Sequence, residues 1–261
     1  MRISLTLHAI KGKIVPYNYN YPFAAAIYQL LKLGSEEYAD FLHSQGYKYE
    51  KKHFKLFTFG LKMRRKSVMT GHYLTNPNVE LIVSSPKIDQ FIENLVKGTF
   101  FTETIRVKQN ETEITFKIAG FKVLPQPSFN TITKFKMISP MFLSKSRDDR
   151  IRPSYHITVN EEDDAGIALV KNLLSKFRLL YNADYETSGL KLSFDKEYIN
   201  QNPKAGMLIK IKEGKDDETS LRTIMCPFTL EGDTNLMRVG YECGFGNENS
   251  LGLGLAEIIA N

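Results

Sequence analysis

Two stretches hold residues whose type and spacing suit chemistry on a phosphate. Gly244-Phe-Gly246 and Gly252-Leu-Gly254 form a G-x-G-x5-G-x-G arrangement preceded by Gly240, which puts five of the chain's 17 glycines into 15 residues. Glycines at that density let backbone N–H groups approach a phosphate chain, because they adopt φ angles other residues resist. The arrangement is no Walker loop, since no Gly-Lys-Ser/Thr follows. It is no dinucleotide fingerprint either, since Asn249 stands where the third glycine belongs and no strand precedes the first. A tight helix-to-strand turn is the competing description. The second stretch runs from Lys48 to Lys66 and carries eight Lys or Arg (Lys48, Lys51, Lys52, Lys55, Lys62, Arg64, Arg65, Lys66) against one acid, Glu50. The other 27 basic and 28 acidic residues nearly cancel, so the net charge of +6 resides in this window. Charge so placed describes a polyanion-binding surface or a solvated, Lys-rich hairpin.

Other reactive residue types carry little. His8, His53, His72 and His156 show no H-x3-H spacing and Cys226 and Cys243 no C-x-x-C, so no metal is expected. Glu161-Glu162, Asp163-Asp164 and Asp148-Asp149 read as solvated charges. The 261 residues, 42% hydrophobic and 25% charged, suit one or two globular domains with a buried core. No stretch approaches the roughly 18 apolar residues of a membrane span, and "MRISLTLHAIKGK" lacks a signal peptide's apolar run. A cytoplasmic chain with free thiols and no membrane partner is expected.

The elements that must position these residues follow from periodicity. "RISLTLHAI" alternates as a strand, and "PFAAAIYQLLKL" places Phe23, Ile27, Leu30 and Leu31 on one helical stripe. Ser35 caps a short helix, "EEYADFLHSQ", that stops at Gly46. A strand "HFKLFTFGLKM", a basic turn "RRKSVMTG", a strand "VELIVSS", a helix from Pro86, and strands "ETIRVKQ" and "EITFKIAGFKVL" complete a first half that reads β-α-(α)-β-(β)-α-β. "PQPSFNT" is a proline-paired connector, which divides the chain into domains 1–125 and 126–261. The second half repeats the order. "TKFKMISPMFLS" is strand-like, "DDAGIALVKNLLSKFRLLYNAD" is a helix with Ile167, Val170, Leu174 and Phe177 at helical spacing, and "GLKLSF", "GMLIKIK" and "LRTIMCPFTLEG" are strands. A helix capped by Asp233 follows, and after the glycine stretch "LGLAEII" is a last strand. The expected fold is α+β, two tandem ferredoxin-like domains, with one large mixed sheet as the fallback.

On these residues the chain resembles a known family. "RVGYECGFGNENSLGLGLAEI" resembles the glycine-rich signature of the CRISPR-associated repeat-processing endoribonucleases, within the repeat-associated mysterious protein superfamily. "VPYNYNYPFAAAIYQLL", "YADFLHSQGY" followed by "FKLFTFG", and "FKMISPMFLS" agree with that family in order and place. The resemblance spans nearly the whole chain and implies two ferredoxin-like domains in tandem. It also implies an enzyme that cuts the precursor transcript within each repeat, without metal or cofactor, leaving a 5′-hydroxyl and a 2′,3′-cyclic phosphate or 3′-phosphate.

That reaction needs the 2′-hydroxyl deprotonated and held in line, the 5′ leaving oxygen protonated and the phosphate charge stabilised. The resemblance assigns these roles to Tyr28, His43 and Lys55. By itself Tyr28, at the edge of the helical stripe, reads as a packed tyrosine, and a phenol of pKa about 10 is a poor base, so it positions the 2′-hydroxyl or accepts its proton. His43, in a last helical turn, suits the general acid or a plain helix-end cap. Lys55, on an alternating strand, would share a face with Phe57 and Phe59, where a charge calls for a partner such as phosphate; Lys48, Lys51, Lys52 and His53 are its rivals. RNA contact is expected at Lys51, Lys52, Arg64, Arg65 and Lys66, at a second cluster including Lys145, Arg147, Arg150 and Arg152, and at Gly244, Gly246, Gly252 and Gly254. Tyr17, Tyr19 and Tyr21 suit base stacking or core packing equally. The partner expected is CRISPR repeat RNA, with an effector complex as a further partner and a monomer or homodimer as the assembly. The alternative is a repeat-binding effector subunit that keeps the fold and does not cut.

Overall fold

A computed structural model describes residues 1–145, 155–187 and 189–259. The first half lays down β1 (Arg2–Lys11), β2 (Ile14–Val15), α1 (Asn20–Gly34), α2 (Glu36–Ser44), a small hairpin of β3 (Tyr47–Tyr49) and β4 (Lys52–Phe54), and the long pair β5 (Thr58–Val68) and β6 (Gly71–Ser84). A π-helical turn at Ile88–Ile92 leads into α3 (Glu93–Phe101), followed by β7 (Thr104–Gln109) and β8 (Thr112–Leu124). The main strands order as β7-β8-β1-β6-β5 with every neighbour antiparallel. With β1, β5, β6 and β8 taken as strands one to four, this is the 4-1-3-2 order of a ferredoxin-like sheet.

The second half repeats the plan. It comprises β9 (Ile132–Met137), β10 (Ser144–Lys145), β11 (Tyr155–His156), α4 (Glu162–Tyr181), β12 (Leu190–Phe194), α5 (Lys196–Gln201), β13 (Gly206–Ile211), β14 (Thr219–Ile224), β15 (Phe228–Gly232), α6 (Thr234–Cys243) and β16 (Ala256–Ile258). The sheet order β12-β15-β9-β16, again all antiparallel, is the same 2-3-1-4 sequence of strands. Residues 125–131 between the two sheets carry no helix or strand. The α+β reading and the duplication thus hold.

Several elements differ from the pattern in the sequence. "LRTIMCPFTLEG" is two strands: β14 ends at Ile224 and pairs with β13, with a further bridge from Ile224 to Met141, while β15 starts at Phe228. Pro227 between them has no N–H to give a ladder. "RRKSVMTG" turns only at its end. Arg64, Arg65, Lys66 and Ser67 continue β5, and the reversal comes at Met69 and Thr70. "HFKLFTFGLKM" breaks between β4 and β5, where Leu56 takes a φ of 54°. The hairpin β3–β4 and helix α5 were not signalled, being too short for periodicity to register.

Helix packing uses faces the sequence marked in part. Helix α1 buries Phe23, Ile27, Leu30 and Leu31 as expected. Ser35 caps α2 by accepting from the Tyr38 N–H, and Gly46 ends it with a φ of 65°. Helix α4 turns inward a face that only partly matches its expected stripe: Leu174 and Phe177 pack against the core as partly buried residues. Ala165, Leu169, Leu173 and, with them, Asn172 and Lys176 are buried, whereas Ile167 is 70% exposed. No helix among the described residues is long and apolar enough to cross a membrane. Cys226 and Cys243 are buried free thiols, pushed up to about 11 and about 12 by that burial.

Helices α1 and α3 cross on two glycines. A Cβ on Gly98 would lie 1.9 Å from the Leu30 carbonyl oxygen, and one on Gly34 would lie 2.0 Å from that of Asn94. Backbone cannot yield there as a side chain would, so the helices would have to part. Gly98→Ala is expected to lower the unfolding free energy by about 2–3 kcal/mol, the range of an overpacked core. Urea unfolding checks this, and a change below about 0.5 kcal/mol would show the crossing to be pliable.

Candidate active site

The glycine stretch is fixed from both halves of the chain. On the second half, the Lys176 ammonium is 1% exposed and donates to the carbonyls of Gly244 (2.7 Å) and Gly246 (2.8 Å) and to Asn249 Oδ1 (2.7 Å). Burial pulls its pKa down to about 7, and three acceptor oxygens favour the protonated form. On the first half, Asn20 Nδ2 donates to the Gly252 carbonyl (2.9 Å) and Thr58 Oγ1 to that of Leu253 (2.8 Å). The carbonyls of Tyr241 and Glu242, exposed as acceptors at the end of α6, find donors in Arg2 and Ser84 (2.5 and 2.9 Å). Arg2 also lies over the Tyr241 ring, 3.3 Å from its centroid.

Close approach is what the glycines supply. Gly252 has a φ of 72°, and a Cβ there would sit 2.6 Å from the Phe59 ring; Gly254 has a φ of 81°, and a Cβ would sit 2.0 Å from the Phe245 carbonyl. Gly244, Gly246, Gly252 and Gly254 are all buried. Only Gly246 of the four lines the 760 Å³ groove that runs between the halves. The loop residues facing that groove are Asn247, Glu248, Asn249 and Ser250.

Beside the loop is a second cavity, of 450 Å³, and it gathers Tyr28, His43 and Lys55 from α1, the end of α2 and the segment before β5. Glu248 and Ser250 line both spaces, as does Lys55, so the cavity and the groove adjoin. The Tyr28 and His43 rings meet edge to face with centroids 5.3 Å apart. Lys55 Nζ donates to the His43 carbonyl at 2.9 Å, one of the acceptors left over at the end of α2. Burial raises the Tyr28 phenol to about 12, against a hydrogen bond with Ser250 that acts the other way. Burial lowers the Lys55 ammonium.

Lys55 reaches this place by a route that alternation does not describe. Leu56, in its left-handed conformation, is buried in the core of the second half beside Phe135 and Phe245. Phe57 and Phe59 are fully buried in the core of the first. Lys55 therefore shares no strand face with those two rings; the reversal at Leu56 turns it to the end of α2. Its rivals lie elsewhere. His53 bonds to the Gln45 carbonyl (2.8 Å), Lys52 and His53 line the groove but not the cavity, and Lys48 and Lys51 are exposed on the β3–β4 hairpin. The basic window is thus divided among that hairpin, the cavity and the outer part of β5, where Arg64, Arg65 and Lys66 are exposed; Lys62 is paired with Glu257.

Of the tyrosines before α1, Tyr19 is buried, Tyr17 donates to the Val68 carbonyl and Tyr21 lines the cavity. Arg147, Arg150 and Arg152 lie outside the described residues, and Lys145 of that cluster is paired with Asp164 (2.5 Å). Sequence reasoning missed Lys176, Glu248 and Ser250. The one available signal was Lys176 itself, a charge three residues after Leu173 and seven after Leu169, at the spacing of a core face.

Two family models cover most of the chain: "CRISPR-associated protein Cas6, N-terminal" over residues 14–118 and "CRISPR associated protein Cas6, C-terminal" over residues 124–258. The chain is 33% identical over 260 residues to "CRISPR-associated endoribonuclease Cas6 1" of Methanocaldococcus jannaschii, covering 98% of this chain and 91% of that one. It is 28% identical over 249 residues to "CRISPR-associated endoribonuclease Cas6" of Pyrococcus furiosus, covering 95% and 84%. A solved structure described as "CRISPR associated protein Cas6" superposes with a TM-score of 0.75 at 28% identity, over 100% of this chain and 99% of the other. A Cas6-related protein from Pyrococcus furiosus has the same fold, with a TM-score of 0.81 at 18% identity and coverage of 100% and 99%.

The loop's fit against Phe59 has a measurable cost attached. Gly252→Ala is expected to destabilise the protein by about 1–3 kcal/mol, through the clash and the left-handed φ together. Thermal unfolding checks it; an unchanged Tm would show that the loop does not need this contact.

Proposed function

The chain belongs to the Cas6 family of CRISPR-associated endoribonucleases, and from that premise we propose that it cleaves CRISPR precursor RNA within the repeat by 2′-hydroxyl attack, without metal. The observation that carries the residue assignment is the convergence of Tyr28, His43 and Lys55 on one cavity opening beside the interdomain groove. Three polar residues spread over 28 positions, from helix, helix end and loop, share one open cavity.

Their chemistry divides the work. A phenol held near 12 is ionised only to about one part in 10⁵ at pH 7, so Tyr28 acts as a neutral hydrogen-bonding group that orients the 2′-hydroxyl, whose proton passes to solvent water as the phosphate is attacked. His43 is exposed at the cavity, and imidazole is the side chain suited to exchange protons near neutrality; it protonates the 5′ leaving oxygen. Lys55 keeps N–H donors beyond the one on the His43 carbonyl and stabilises charge on the phosphate in flight. The products are then a 5′-hydroxyl and a 2′,3′-cyclic phosphate or 3′-phosphate.

The RNA lies along the groove, with Lys52 and His53 of the hairpin on one side. Lys51, and Arg64, Arg65 and Lys66 on β5, extend the phosphate-binding surface, and the loop offers Asn247 and Ser250 while Gly246 lines the floor. The two ferredoxin-like units divide near residue 125, and the protein acts as a monomer or homodimer that hands its product to an effector complex.

Cleavage of repeat RNA is expected to persist in excess EDTA, to stop with a 2′-deoxy nucleotide before the scissile phosphate, and to fall at least 100-fold in His43→Ala. Intact RNA in EDTA would favour a repeat-binding subunit that does not cut. Cutting that survives the 2′-deoxy substitution would exclude 2′-hydroxyl attack. For Tyr28, whose phenol stays protonated from pH 6 to 9, Tyr28→Phe is expected to lower the single-turnover rate about tenfold without changing the shape of the pH profile. A wild-type rate that climbs tenfold per unit between pH 7 and 9, with the climb lost in Tyr28→Phe, would instead mark a phenolate base.

A further inference from the structure

Lys176 lies outside the cavity that holds Tyr28, His43 and Lys55, on α4 of the second half, yet its ammonium binds the loop that borders that cavity. Burying a charge is costly, and apolar residues of similar volume commonly fill such positions with equal or greater stability. Filling space therefore does not account for a lysine here. Its three acceptors do point to a role: two are carbonyls of the loop, and the third is Asn249, whose amide in turn donates to the carbonyls of Leu253 (2.9 Å) and Phe245 (3.3 Å). The ammonium and Asn249 together brace the loop from within. The next residue is Ser250, which lines the cavity together with Tyr28.

Tyr28 and the loop's other anchor share an element. Asn20 at the start of α1 holds the Gly252 carbonyl, and Tyr28 lies two turns further along the same helix. The loop that carries Ser250 into the Tyr28 cavity is thus held from both sides, by α1 through Asn20 and by α4 through Lys176. Glu248, between Gly246 and Asn249, takes a left-handed φ of 55°, uncommon for a non-glycine residue.

We propose that Lys176 is a positioning residue of the cleavage reaction: by fixing Gly244, Gly246 and Asn249 it holds Ser250 where its hydroxyl orients the Tyr28 phenol. This rests on the reading of Tyr28 as the group that orients the 2′-hydroxyl. Lys176 borders the groove, but its side chain is 1% exposed and its ammonium is taken up by the loop, so in this role it acts through the loop.

The test compares Lys176→Met, Ser250→Ala, the double variant and Tyr28→Phe, in single-turnover cleavage of repeat RNA and in binding of the uncleavable 2′-deoxy analogue. Lys176→Met is expected to slow cleavage at least tenfold while analogue affinity stays within threefold. Ser250→Ala is expected to slow it severalfold, and the double variant to be no slower than Lys176→Met, because both changes break one connection. Wild-type cleavage by Lys176→Met, or effects that multiply in the double variant, would overturn the proposal. So would equal losses of rate and affinity, which are the mark of general damage to the fold. If Lys176→Met fails to fold by circular dichroism, Lys176→Gln, which keeps a shorter donor, is held to the same criteria. Tyr28→Phe separates the two readings. Full activity there removes Tyr28 from the mechanism, whereas slow cleavage by Tyr28→Phe with fast cleavage by Lys176→Met removes only the connection from Lys176.

Discussion

One buried ammonium organises the region on which the rest of the site depends. Lys176 lies in the core of the second half and takes its three acceptors from a loop that would otherwise have carbonyls without donors. A charge without those oxygens could not remain there, and the loop without that charge would lose its internal brace. The same loop meets Asn20, Thr58 and Phe59 of the first half, so what stabilises one unit also sets its position against the other. Donors from Arg2 and Ser84 to the carbonyls at the end of α6 extend this joint.

From this joint the site follows. Tyr28 is held by α1, whose stripe of Phe23, Ile27, Leu30 and Leu31 is buried and whose crossing with α3 leaves no room for a side chain at Gly34 or Gly98. His43 is placed by the short helix between Ser35 and Gly46. Lys55 is placed by its neighbour: Leu56 inserts into the second core while Phe57 and Phe59 fill the first, and the lysine is left at the boundary. Two hydrophobic cores thus compete for successive residues of one segment, and the cation between them is delivered to the cavity.

The charge distribution shows how folding reassigns a linear feature. The window from Lys48 to Lys66 looks like a single basic surface, yet a hairpin, a core insertion and a strand separate its members. Lys62 is paired with Glu257 at the opposite end of the chain. Exposed charges at the hairpin and along β5 are screened beyond a Debye length of about 8 Å at physiological salt, so they act locally along an RNA strand rather than as one field.

The sequence alone determined the elements whose cause is local. Periodicity marked α1 and most strands, Ser35, Gly46 and Asp233 marked helix ends, and the order of elements was enough for two ferredoxin-like units, because strand and helix periods are properties of neighbouring residues. The glycine stretch and the short motifs around Tyr28, His43 and Lys55 were likewise legible as a family likeness. Tertiary structure alone decided what those residues touch. Alternation misplaced Lys55, since Leu56 is claimed by a core formed some 80 to 190 residues away. The apolar letters of α4 indicated its inner face only in part: Leu174 and Phe177 pack on the core but Ile167 does not, and the buried face includes Asn172 and Lys176, polar residues whose partners lie far along the chain. A hydrogen bond to a distant carbonyl leaves no trace in local composition, and the inner surface of the loop is built from such bonds.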